Sequence, residues 1–402
     1  MRLPILLNTG LLFVASAVCA APHVSAEAPI DTLSDRAADF ALEQQAAGVA
    51  LADKLWELAE LGYLEYQSSA ALQTYLAEHG FSVESGVGGI PTAFVATFRS
   101  GAEADAGPVV ALLAEFDALP GRNRAALPCR PVTEERAAGH ACGHHLFGAA
   151  SASAAVALSQ WLQDSQVSAT IKLVGTPAEE GGSGKVYLAR AGVFDEVDVV
   201  LHWHPGDGNS ASPSSTTSNK SGRFTFTGRA AHAASAPDRG RSALDGVEAM
   251  NFMVNLMREH VPQTARLHYV ITNGGDAPNI VPETAQVYYY VRHPDKDQVV
   301  QLFERVVAAA EAAAMGTETR VHVEVMHGNY PVLPNLTLAR LVNDNLVAMG
   351  GITYSPAEQE FAETIRPTLI NPRRELGSEQ TVAPYRVRQS MGSTDGGGVS
   401  LL

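Results

Sequence analysis

The sequence predicts an α/β fold, a mostly parallel sheet covered by helices, carrying an inserted ferredoxin-like α+β dimerisation domain. Three observations carry that prediction. In the first half, short apolar runs alternate with Ala-rich helical stretches, the order that produces a sheet with helices on both faces. A stretch rich in Ser, Thr and Asn then breaks the composition at 209–221, as linkers do. Beyond it the pattern becomes strand, helix, strand, strand, helix, strand, the order of a ferredoxin-like sandwich.

Each element has its own signal. Residues 31–80 read as helical, because Leu55, Leu58, Leu61 and Leu64 recur at a spacing of three and Gly80 supplies a stop. Runs 92–98 and 109–114 read as strands, 146–162 as an Ala-rich buried helix, and 170–174 and 197–201 as two further strands. In the inserted unit, strands are expected at 224–227, 267–272, 285–292 and 319–326, with helices at 244–259 and 299–315. A helix at 336–349 returns the chain to the first unit. The expected division is 27–218 with 329–402 for the catalytic domain, and 219–328 for the inserted one. At 402 residues there is room for both.

The bulk composition narrows the function. Apolar residues make up 46% of the chain, as in a globular protein, and the formal net charge is −15. That charge argues against a nucleic-acid partner, which needs a basic face. A small anionic substrate needs only a local Arg. Residues 1–26 read as a cleaved export signal: Met1-Arg2 is a basic start, 3–18 is largely apolar, and small residues follow near Cys19 and Ser25. Pro4, Asn8 and Thr9 interrupt the apolar run and no basic stop follows it, so cleavage is expected rather than anchoring. The mature protein is then periplasmic or secreted, with no later membrane span. In such a compartment Cys129 and Cys142 could pair, but Cys142 lies in a His-rich motif that points to metal instead.

Four motifs fall at or near the ends of expected strands, where open parallel sheets bind ligands. Glu115-Phe116-Asp117 follows 109–114 and offers a carboxylate to orient a ligating His. His140, Cys142, His144 and His145 crowd into six residues before the buried helix; thiolate and imidazole are strong ligands for zinc-like ions. Ordinary packing accounts well for His140 and His145 but poorly for Cys142 and His144. Glu179-Glu180 precedes Gly181-Gly182, and such a pair can divide metal binding from proton transfer. Taken alone, it would read as an exposed acidic turn. His202 and His204 follow 197–201, and strand alternation would put both on one face.

With these motifs in this order, the chain resembles the amidohydrolase branch of the carboxypeptidase G-like metallopeptidases. The inserted unit adds Gly228-Arg229-Ala230-Ala231-His232 and Asp276-Ala277-Pro278-Asn279, running on to Arg292. The resemblance implies a hydrolase of N-acyl or N-aroyl amino acids such as p-aminobenzoyl-glutamate, working with two divalent metal ions, zinc or manganese, per subunit. It implies that Cys142 bridges the ions and that His144, Glu180 and His202 bind them, with His204 as the second choice for the last role. Glu179 would be the general base. His232 would reach from the inserted domain into a partner subunit's site, making a homodimer. Asn279 and Arg292 would hold the substrate, Arg292 at its carboxylate.

Three departures stand out. Position 145 is His where many relatives carry Asp, and Glu115 stands where the peptidase branch has a metal-binding His. Relatives also supply a final His ligand beyond a Gly-Ser-Thr-Asp motif, and here no His follows His327. The expectation on that ground is a truncated chain, poor in metal and weakly active. The alternative readings are a broader dipeptidase or aminoacylase of the same fold, or an inactive metal-binding relative.

Overall fold

The computed structural model describes residues 30–101, 107–122, 125–128 and 137–402. The expected signal at 1–26 and the possible partner thiol Cys129 lie outside the described residues; Cys142 is a free cysteine.

The segment 31–80, expected to be helical, forms three helices: α1 (Ile30–Glu43), α2 (Gln45–Leu58) and α3 (Tyr66–Glu78). Left-handed Ala59 (φ 40°) ends α2, and Tyr63 (φ 65°) turns the chain into α3. The leucine run therefore continues past the helix into the turn. Next come β1 (Ser82–Ser85), β2 (Phe94–Ser100), β3 (Val109–Ala114), α4 (His144–Ser165), β4 (Ala169–Gly175), α5 (Gly184–Arg190) and β5 (Val199–Leu201).

These five strands form one sheet in the order β1-β2-β4-β3-β5. β4, β3 and β5 run parallel. β2 is antiparallel to β4, and β1 to β2. The sheet is thus mixed, with its parallel part where α4 provides the crossover from β3 to β4. The link from β1 to β2 is too short for a crossover helix, so the pair returns on itself. Leu55, Leu72, Leu76, Phe94, Phe116 and Leu173 are fully buried between this sheet and its helices.

The second sheet begins after β6 (Ser214–Ser215). It comprises β7 (Ser218–Thr227), α6 (Ala243–Met257), β8 (Arg266–Asn273), β9 (Thr284–His293), α7 (Lys296–Gly316) and β10 (Arg320–Asn329). All its pairings are antiparallel, in the order β10-β7-β9-β8. Phe224, Phe226, Val287, Tyr289 and Val291 point to the face covered by α6 and α7. Along β9 burial alternates strictly, which leaves Gln286, Tyr288, Tyr290 and Arg292 on the helix-free face.

The stretch 209–221, expected as a linker, already contains the start of β7. Ser218, Asn219 and Ser221 are buried, and Ser218 Oγ donates to the Asn329 carbonyl at 2.7 Å. Just before β7, Ser215 Oγ donates to the Val332 carbonyl at 2.8 Å and Thr217 Oγ1 to the Gly392 carbonyl at 3.0 Å, so the polar side chains here bond the chain to its later segments rather than to solvent alone. The chain continues through α8 (Leu336–Met349), α9 (Pro356–Ile365), β11 (Arg388–Gln389), which pairs with β6, and α10 (Gly396–Val399), which packs on α5. No helix among the described residues is long and apolar enough to cross a membrane.

Candidate active site

The carboxyl ends of β4, β3 and β5 open on one crevice. β3 delivers Glu115 and Asp117, β4 delivers Glu179 and Glu180, β5 delivers His202 and His204, and the start of α4 delivers Cys142 and His144. Two backbone devices hold these loops. Gly143 is left-handed (φ 86°), and a Cβ there would lie 3.0 Å from Pro205, so glycine lets the Cys142 loop close on the His204 loop. Ala178 carries φ 57°, a strained value for a residue with a side chain. Its N–H donates to buried Glu65 Oε1 at 2.8 Å, and Thr92 Oγ1 donates to Glu65 Oε2 at 3.0 Å.

Hydrogen bonds fix both imidazoles facing Cys142. His144 Nδ1 pairs with Asp117 Oδ1 at 2.8 Å, leaving Nε2 free of any hydrogen-bond partner. Asp117 Oδ2 accepts the Glu180 N–H at 2.8 Å, so one carboxylate sets both groups. His204 Nδ1 donates to the Pro205 carbonyl at 2.7 Å, and its Nε2 meets Cys142 Sγ at 3.4 Å. A ring whose Nδ1–H is committed presents its Nε2 lone pair, as a ligand must.

Cys142, His144 and His204 can converge on one ion; so can Glu115, His144 and Glu179. The donor set fits a divalent metal. Nε2 of His144 and Oε2 of Glu115 are buried orphans 3.1 Å apart, and thiolate with imidazole suits zinc-like ions. Burial alone would push His144 down, but Asp117, Cys142 and Glu115 outweigh it and lift it to about 12. The surroundings thus favour positive charge at this point, whether carried by a proton or by a metal.

Beside the cluster lies a buried ionic triad. Lys185 Nζ contacts Glu115 Oε1 at 2.6 Å and Asp395 Oδ1 at 2.7 Å, and the Lys185 N–H donates to Asp395 Oδ2 at 2.9 Å. Burial would raise Glu115, but the Lys185 charge overrides it and holds the carboxyl well below the usual range. Glu179 lacks such a cation at contact. Burial, reinforced by the Glu115 and Asp395 charges, pushes it well above the usual range.

Residues 215–318 match the Peptidase dimerisation domain. The chain is 39% identical to a subunit of the p-aminobenzoyl-glutamate hydrolase of Escherichia coli (strain K12), over 81% of this chain and 67% of that protein. The chain belongs to the M20 metallopeptidase family. Another relative is a Mus musculus Xaa-Arg dipeptidase, 33% identical over 82% of this chain and 75% of that one. Among solved structures, a Bacillus subtilis protein described as a dinuclear metal binding peptidase of the M20 family superposes with a TM-score of 0.53. It covers 89% of this chain and 85% of that one at 18% identity, which bears on the fold alone. As an M20 enzyme the chain is a metal-dependent hydrolase of C–N amide bonds.

The M20 fold brings some of the expected site residues together and separates others. Cys142, His144 and Glu180 are neighbours at the crevice. His202, expected beside Cys142, instead places Nε2 3.2 Å from Glu115 Oε1, and His204 takes the position facing Cys142. Strand alternation fails here because β5 ends at Leu201, and Trp203 Nε1 donates to Ser151 Oγ as the chain turns. His140 and His145 lie behind the crevice: His140 Nε2 meets the Leu55 carbonyl and His145 packs edge-on against Trp56.

His232 and Asn279 are exposed on the inserted unit, joined through the Ala233 N–H and the Asn279 carbonyl. His232 Nδ1 accepts the N–H groups of Ala234 and Ser235, so its proton sits on Nε2. Arg292 lies on the helix-free sheet face over the Tyr290 ring, with Nε buried and unpaired. Lys185 and Glu65 stand in no motif; Asp395 closes the Gly-Ser-Thr-Asp motif expected near the active site, but its pairing with Lys185 is not readable from the sequence. A single Lys in the first turn of the short helix α5 carries no periodic signal, and the meeting of these groups is a product of tertiary structure.

Proposed function

We propose that this chain hydrolyses the amide bond of N-acyl or N-aroyl amino acids, p-aminobenzoyl-glutamate among them. The observation that carries the reading is the convergence of Cys142, His144 and His204 beside a half-buried Glu179 that no cation contacts. Cys142, His144, Glu180 and His204 would hold two divalent ions, with Asp117 orienting His144. When bound, such ions make a water nucleophilic at neutral pH and stabilise a developing oxyanion. Glu179 then takes the proton of the attacking water and delivers it to the leaving nitrogen; its raised affinity for a proton suits that exchange. Arg292 receives the substrate carboxylate. His232 presents an Nε2–H donor to an oxyanion in a partner subunit. A homodimer is supported by β8, an exposed edge strand carrying Val270 and Ile271, and by exposed Phe252 and Leu256 on α6.

A second reading, a dipeptidase, is favoured by the resemblance to the mouse Xaa-Arg dipeptidase. One experiment separates and tests both. The purified protein, supplied with zinc or manganese, is assayed on aroyl-glutamate, acyl amino acids and dipeptides, beside Glu179→Gln and Glu180→Gln. Glu179→Gln should lose ~10²–10⁴-fold in turnover while keeping its metal. Glu180→Gln should lose metal. Full metal and full activity in both variants would sink the assignment.

A further inference from the structure

The helix-free face of the inserted sheet turns toward the metal-site loop. A Cβ on Gly181 would lie 2.9 Å from Tyr290 Oη, so this glycine, at φ 96°, lets the tyrosine reach the loop that carries Glu179 and Glu180. Against the edge of the Tyr290 ring stands His327, with centroids 5.2 Å apart and planes at 85°. His327 is only 7% exposed, yet both of its ring nitrogens lack a hydrogen-bond partner. The neighbouring Arg292 Nε and the 3% exposed Asn219 Oδ1 are likewise buried and unpaired. Register puts Asn219 directly opposite Arg292. Buried polar groups are ordinarily satisfied, so such a cluster calls for a ligand.

The backbone shows how His327 came to point there. In β10, Val321 and Val323 pack toward the helices, so strict alternation would send residue 327 the same way. A register shift between Val325 and His327 inserts one extra residue. His327 is thereby placed opposite Ser221, on the Tyr290 and Arg292 side. Bulges of this kind re-aim side chains beside active sites. Burial, followed by the Arg292 charge, pushes His327 down to about 4, so the ring is neutral near pH 7 and offers one donor and one acceptor.

We propose that His327 is a substrate-binding residue: with Arg292 and Tyr290 it forms the subsite for the amino-acid half of the amide, its ring N–H donating to the carboxylate that Arg292 holds. This rests on the hydrolase reading above. Arg292 supplies the charge, and His327 fixes where the carboxylate sits relative to Glu179. A carboxamide in place of that carboxylate weakens the Arg292 contact and leaves an unmatched donor facing the His327 N–H.

The test compares the wild type, His327→Phe and His327→Gln in the full, metal-supplied protein. Phe keeps the edge contact with Tyr290 and removes both nitrogens. KM for p-aminobenzoyl-glutamate should rise ~10-fold in His327→Phe, the size of one lost hydrogen bond to a charged group. Bound metal and kcat should stay near wild type, and Gln should recover part of the loss. The penalty for the α-carboxamide analogue should shrink in the Phe variant, because the coupling partner is gone. Unchanged KM, or an undiminished carboxamide penalty, overturns the inference; if Phe fails to fold, His327→Leu with wild-type KM does the same. Calorimetric binding of L-glutamate reads the subsite without turnover. A wild type that hydrolyses nothing, yet binds glutamate ~10-fold more tightly than His327→Phe, keeps the subsite and refutes the hydrolase reading. Active wild type with indifferent KM and binding does the reverse. A wild type that neither turns over nor binds refutes both.

Discussion

Replacing Lys185 by Met removes the ammonium held between Glu115 and Asp395 while nearly preserving side-chain volume. At 2.6 and 2.7 Å, each ion contact is worth ~6 kcal/mol at an effective dielectric of about 20. Desolvating three ions costs several kcal/mol apiece, so the intact triad is near break-even. The substitution is not. It deletes both attractions and leaves two carboxylates that stay buried, for which the expected loss is ~3–5 kcal/mol, a large share of a typical domain's ~5–15 kcal/mol. The loss should also acquire a pH dependence. Without the ammonium, burial and mutual repulsion raise the folded-state proton affinity of Glu115 and Asp395 above that of the unfolded chain. The variant's deficit is then smallest at low pH, where protons neutralise the pair, and grows as pH rises through the raised values. Urea unfolding of wild type and Lys185→Met in chelator, at about pH 5 and pH 8, measures both effects without a metal contribution. A deficit below ~1 kcal/mol at the higher pH, or an equal deficit at both, would refute the reasoning.

Two further outcomes are expected. His204→Ala should lower bound metal in elemental analysis, whereas His202→Ala should leave it near wild type; the opposite pattern would return the ligand role to His202. Burial, with the nearby Asp117 charge, lifts Glu65 from 4.5 to about 7. Its contribution to stability is therefore present below the unfolded value and lost as pH rises through about 7. Glu65→Gln should flatten that part of a melting profile across pH, and an unchanged profile would show that Glu65 does not titrate there.

Much of this site was legible in the linear sequence because its ligands sit in short motifs at the ends of apolar strands. Cys142, His144, Glu179 and Glu180 were all singled out, and so was the strand-helix order of the inserted sheet. What could not be read was geometry created where regular structure stops. His202 and His204 differ because β5 ends just before them, and alternation carries no information beyond a strand. The stretch 218–221 looked like a linker because its Ser and Asn residues are polar, although they are buried at the start of β7. His327 was invisible for a related reason: the bulge before it inverts the parity that a pattern reading would assign. Lys185 and Asp395 meet only in three dimensions.

That last meeting has a consequence for how the molecule is made. Asp395 enters the chain 210 residues after Lys185. At ribosomal speeds of ~5–20 residues per second, roughly 10–40 s separate the two. Through that interval the strands bearing Glu115, Glu179 and the Cys142 loop are already synthesised, but the Lys185 backbone has no Asp395 to hold it. The metal-site loop is then tethered through Tyr63, Glu65 and Asp117, without Asp395. The crevice is thus completed late, by a residue far removed in synthesis from the loops it steadies, and a nascent chain reaches its final arrangement of charges only once Asp395 has left the ribosome.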